Sequence, residues 1–251
     1  MLEKNRVILI SIAFIIGFSS LGFFIGKSIE RFRKEDRSIS VKGFSEKEVK
    51  SNFAVWTIKT RITTNELAEG SKNSEENKNK IIAFLLENGL KKEEIIQQNL
   101  NVTDKLAREY SNDVGAFRYI IENTLQVRTV HVDLVDKVSK ETDKLLKAGI
   151  LIAENNEYNP AIKYLFTGLN DIKPQMLSEA TQNAKQAASE FTKQSDVKLG
   201  KLKKASQGLF SIVDRDQAII SPSGEGGYYQ ANVNDIYKKV KVVVSVEYSV
   251  E

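Results

Sequence analysis

The 251-residue chain has no cysteine and only one histidine, and these two absences bound its chemistry before any motif is sought. Without thiols there is no disulfide framework, no thiolate metal site and no cysteine nucleophile, so the fold must be held by its core. With His131 alone, no histidine pair or carboxylate cluster stands at ligand spacing, and neither a metal nor a cofactor is expected. A Ser-His-acid relay would have to pass through that one residue, and a surface or packing role is the simpler reading. Glu75, Glu76, Glu93 and Glu94 fall on predicted surface faces, and spacing singles out no glycosidase-type carboxylate pair. No catalytic residue is assigned, and the chain reads as a non-enzyme.

Strong charge is also missing from most of the chain. The net charge is +4, and residues 1–37 hold seven basic against four acidic side chains, so about +1 is left for the remainder. A nearly neutral domain lacks the concentrated basic face that displaces counterions from phosphates, which argues against nucleic acid as a partner.

What is present is an apolar run. From Val7 to Gly26 no side chain is charged. At about 1.5 Å per residue, a helix of this length spans roughly the 30 Å hydrocarbon core of a bilayer. Ser20 and Gly22 offer a small-x-small pattern for signal cleavage after Gly22, but Phe23, Phe24 and Ile25 carry the run past that point. The expected organisation is a short cytoplasmic N-terminus at 1–6, a transmembrane helix or signal anchor at 7–26, a juxtamembrane linker at 27–37 and a domain from 38 to 251. Cleavage would instead release a periplasmic form. Lys4 and Arg6 before the run face Lys27, Arg31, Arg33, Lys34 and Arg37 after it, so charge alone does not orient it. Long domains translocate with little regard to flanking charge, which places the C-terminal part in the periplasm or outside, on a single-pass anchor in the cytoplasmic membrane.

Within the domain, residues 38–44 and 52–63 read as strands, the second with Ala54, Trp56, Ile58, Thr60 and Ile62 on one face. A helix is predicted over 65–88, its polar middle and Gly70 leaving a break open, with Asn88-Gly89 as a left-handed cap. Residues 95–108 and 116–129 form a predicted hairpin, with Phe117, Tyr119, Ile121, Asn123, Leu125 and Val127 on one side. A helix with Asp133 as its N-cap follows and ends at Gly149, then a short strand lies within 158–168.

The helix predicted over 172–194 carries a stripe of Leu177, Ala180, Ala184, Ala187, Ala188 and Phe191, with Pro174 in its first turn. Long strands over 198–214 and 235–251 close the chain, the last with alternating valines from Val240 to Val250. The loop at 217–234 has glycines but no following helix, which excludes a phosphate cradle. Its Tyr228 and Tyr229 are the candidate contact residues. Trp56, Phe117 and Tyr119 could line a ligand pocket, though aromatics at alternating positions usually serve the core.

Three stretches carry a family resemblance: the strand-helix unit ending at Ala148-Gly149, the Ala-rich helix running into "VKLGKL", and the terminal "KVKVVVSVEYSV". Together they resemble the SIMPL-domain family, which includes bacterial periplasmic immunogenic proteins. The resemblance implies an α+β fold, and with the apolar run the expected class is an N-terminal transmembrane helix and then curved antiparallel sheet packed around two or three helices. It also implies assembly into rings or channel-like homo-oligomers, with looser links to envelope or oxidative stress. The leading expectation is therefore a membrane-anchored envelope protein that self-assembles. The alternative is an extracytoplasmic module that binds a small molecule or peptide.

Overall fold

The computed structural model describes residues 15, 17, 19–27, 37–107, 116–153, 161–216 and 234–250. These form an α+β fold with two four-stranded sheets. In chain order the elements are β1 (Ser38–Lys50), β2 (Phe53–Thr64), α1 (Leu67–Glu87), β3 (Ile95–Asp104), β4 (Tyr119–Thr129), α2 (Val132–Ser139), α3 (Asp143–Lys147), β5 (Ile162–Leu165), α4 (Leu169–Gln194), β6 (Leu199–Gln207), β7 (Ser211–Asp214) and β8 (Tyr237–Val250). One sheet has the order β1-β8-β6 with β7 also pairing β8, and the other has the order β3-β4-β2-β5. The chain divides into two compact units, and β1 and β8 contribute residues to both.

The first unit combines Met1–Ser45, Pro174–Phe210 and Lys241–Glu251. Its α4 buries Met176, Ala180, Ala184, Ala188 and Thr192, a stripe repeating every four residues. The expected stripe was turned slightly about the helix: Leu177 and Ala187 are only half-buried and Phe191 is exposed. Backbone proximity is the reason. A Cβ on Gly43 of β1 would lie 2.2 Å from the Ala180 carbonyl oxygen and 2.3 Å from the Ala184 nitrogen, so the buried line is held to small residues where it passes Gly43. Asn183 Nδ2 donates to the Phe44 carbonyl at 2.9 Å and Ser45 Oγ to Glu179 at 2.8 Å, tying the same strand and helix by polar contacts. The helix begins at Leu169, three residues before its predicted start, so Pro174 lies inside it rather than in the first turn.

The second unit combines Glu46–Lys173 and Ser211–Val240. β2 pairs antiparallel with β4 from Ala54 to Thr64, placing Trp56 opposite Val127 and Ile58 opposite Leu125. These side chains join Ile81, Phe84 and Leu85 of α1 and Val135, Val138 and Leu145 of the following helices in one core. Trp56 is 3% exposed in that cluster, so it packs the core; Phe117 lies outside β4 and is exposed.

α1 is unbroken through its polar middle. A Cβ on Gly70 would meet Thr64 Cγ2 at 2.4 Å and Ile121 Cδ1 at 2.8 Å, so those side chains would have to shift to admit one. Gly89 and Gly149 have φ of 93° and 78°, the left-handed conformation expected of them at helix ends.

Two predicted elements are each broken in two. The helix predicted from Asp133 to Gly149 is instead α2 and α3, and its N-cap is His131. Between the two, Ser139 and Thr142 hydroxyls donate to the Asp136 and Ser139 carbonyls, side-chain bonds that compete with the helical ladder. The strand predicted over 198–214 stops at Gln207 and resumes at Ser211 as β7. At the break, Gly208 N–H donates to the Val243 carbonyl at 2.8 Å, where a Cβ would come within 2.9 Å of that oxygen.

The apolar run at 7–26 lies partly outside the described residues. Its described part is helical at positions 19–26 and exposed. Among the described residues no helix is long and apolar enough to cross a membrane.

Candidate functional site

A cavity of about 450 Å³ opens where β1 ends and α2 begins, lined by Lys50, Ser51 and residues 130–134. The end of β1 delivers Lys50, whose Nζ donates to Asp133 Oδ2 at 2.7 Å. That hydrogen bond and the carboxylate charge raise the Lys50 pKa and hold the ammonium. Asp133 sits at the second helical position of α2, where the helix dipole favours a carboxylate, and engages Lys50 rather than capping the helix.

Ser51 is buried, and its N–H donates to the Ile236 carbonyl at 2.8 Å, but its hydroxyl oxygen has no hydrogen-bond partner. His131 is exposed at the mouth. The two share the cavity without the serine–histidine hydrogen bond that a nucleophilic relay requires.

Behind His131 lies a hydrogen-bonded carboxylate. Thr129 Oγ1 accepts from the His131 N–H at 3.0 Å and donates to Glu94, whose other oxygen accepts from the Lys91 N–H at 2.9 Å. Burial pushes the Glu94 pKa up, but the Thr129 hydroxyl, the Lys91 N–H and the charges of His131 and Lys91 together carry it below its ordinary value. Glu94 therefore supports the turn into α2 through Thr129. Nearby, burial and then the charges of Asp136 and Asp133 push Tyr164 up to about 12, so it stays neutral.

The predicted contact residues Tyr228 and Tyr229 lie outside the described residues, but the base of their loop is described. Asp214 Oδ2 accepts from the N–H groups of Asn234 and Asp235 at 2.9 and 3.2 Å, while Oδ1 accepts from Lys238 Nζ. Asp214 and Lys238 are both buried. Arg215 stands over the Tyr237 ring at 5.2 Å and approaches Asp235 at 3.6 Å. One carboxylate thus fastens both ends of the loop, a role no sequence periodicity signals.

Among the described residues, no group of three or more His, Cys, Asp or Glu side chains could hold a metal ion. The cavity holds the Lys50–Asp133 ion pair and the loop base the buried Lys238–Asp214 pair. A family model described as "SIMPL: Protein of unknown function (DUF541)" matches residues 39–248. The chain belongs to the SIMPL family. The SIMPL match runs from β1 into β8, so both sheets, the cavity and the loop base fall within it, while the apolar N-terminal run does not. No curated protein matches the chain.

Proposed function

We propose that this SIMPL protein is a membrane-anchored component of the bacterial cell envelope, whose domain acts outside the cytoplasm by self-association rather than by catalysis. The observation that carries the reading is the apolar N-terminal stretch. Its described residues Ile15, Leu21, Phe23, Phe24 and Ile25 are helical and each at least half exposed. Large apolar side chains contiguous on one element ask for an apolar solvent, and lipid supplies it. Lys27 stands 5.6 Å over the Phe23 ring at the end of this stretch, as an interfacial cation beside an aromatic does. Alkaline extraction of membranes tests the anchor. The full-length chain should remain in the pellet with residues 1–26 present by intact mass, and recovery of an uncleaved chain in the cytosolic fraction would refute it.

A second reading, an extracytoplasmic small-molecule or peptide binding module, has the cavity beside Lys50 and His131 in its favour, with the unpartnered Ser51 hydroxyl at its wall. Ligand-dependent melting that disappears in Lys50→Met would support it. Equal responses from wild type and K50M would remove it.

A further inference from the structure

An edge strand presents unpaired N–H and C=O groups, and folded proteins blunt such edges with charge, short length or bulges. β1 carries Lys42, Glu46, Lys47, Glu48 and Lys50. β6 carries Lys201, Lys203 and Lys204. β5 and β7 are four residues each. β3 is different: it ends its sheet, pairs only with β4 among the described residues, and has no charged side chain from Ile95 to Thr103. A bulge between Gln97 and Asn99 interrupts the ladder and leaves a regular run over 99–104.

The bulge also sets the phase of that run. Leu100 is opposite Asn123 and Val102 opposite Ile121, so both lie on the core-facing side of the sheet, yet they are 50% and 45% exposed. An apolar strip therefore borders an edge that no described strand covers. The one charge on the run, Asp104, is already held by Arg118 at 2.8 Å.

We infer that the outer edge of β3 is where this chain pairs with a second copy of itself, antiparallel along 99–104; this rests on the self-association reading above. Directly opposed residues of an antiparallel pair share a face. With Asn101 on the two-fold axis, Leu100 of each copy meets Val102 of the other on the apolar side, and Asn99 meets Thr103 on the polar side. No like charges oppose one another. The same operation on β6, centred on Leu202, would set Lys201 of each copy against Lys203 of the other, which is unfavourable. The neutral strand thus admits an identical partner where the lysine edge repels one.

The absence of cysteine makes the test clean. Asn101→Cys and, on the β6 edge, Leu202→Cys are introduced separately into the full-length chain in detergent micelles and mildly oxidised. N101C should form disulfide-linked dimers, because side chains on the axis come within disulfide reach, and L202C should not, because its two-fold sets Lys201 against Lys203. Val102→Lys should halve the scattering mass of the wild-type assembly with an unchanged far-ultraviolet spectrum. Equal cross-linking of the two cysteine variants, or an unchanged mass in V102K, would overturn the assignment. If the wild type assembles but N101C does not cross-link, the β3 edge is wrong while self-association stands. A wild type that stays monomeric, including one that captures extended peptides at β3 instead, refutes both.

Discussion

Replacing Gly43 by alanine probes the tightest contact in the first unit. The added methyl would lie 2.2 Å from the Ala180 oxygen, 2.3 Å from the Ala184 nitrogen and 2.7 Å from the Ala184 Cβ. Two of these three atoms are backbone, so no rotamer change relieves them, and α4 must retreat along its buried line. Overpacking of this kind costs typically about 1–3 kcal/mol, and backbone obstruction puts Gly43 at the upper end. Reduced freedom of the unfolded chain returns roughly 0.4–1 kcal/mol in the usual glycine-to-alanine exchange. The net expectation is a loss of about 2–3 kcal/mol, which for a chain of this size lowers Tm by roughly 5–10 °C. Thermal denaturation followed by circular dichroism measures it. A G43A melting temperature within about 1 °C of wild type would mean that strand and helix are not in backbone contact, and the reason given for the alanine stripe would fall.

Three further outcomes follow from the second unit. Lys238→Met leaves the buried Asp214 carboxylate with only its backbone donors, and urea denaturation should register a loss of about 3 kcal/mol, the lower end for breaking a buried ion pair. Asn123 is buried on the core face of β4 with an unpartnered amide oxygen, so Asn123→Leu should stabilise by about 1 kcal/mol in the same assay. Glu94 is held below its ordinary carboxylate pKa by the fold, so its contribution is present above the unfolded value and lost as pH falls through the lowered folded one. Glu94→Gln should therefore melt below wild type at pH 7, with the gap closing as the pH falls below the ordinary glutamate range. A gap that stays constant over that fall in pH would contradict the assignment.

Much of the architecture was legible because it is written in period-two and helical patterns. The alternation from Ala54 to Thr60 and from Val240 to Tyr248 gave strand faces that are buried as read, and the Asn88-Gly89 and Ala148-Gly149 endings gave the helix stops. What was misread depends on neighbours distant in sequence. The face of α4 is chosen by Gly43, more than a hundred residues earlier, which favours alanine over the larger Leu177 and Phe191. The breaks at 140–142 and 208–210 come from side-chain and cross-strand hydrogen bonds that a hydrophobicity pattern does not encode. The same applies to the sites. His131 was placed just before a helix, but its meeting with Lys50 and Ser51 requires the end of β1. Asp214 fastens a loop whose two ends are about twenty positions apart and have no shared motif.

The most direct test of contact as this protein's mode of action is the mass of the full-length chain in detergent micelles, measured by multi-angle scattering with the detergent contribution subtracted. Self-association predicts a multiple of the 28.2 kDa chain mass that persists on dilution into the micromolar range. A single 28.2 kDa species at every concentration would contradict it.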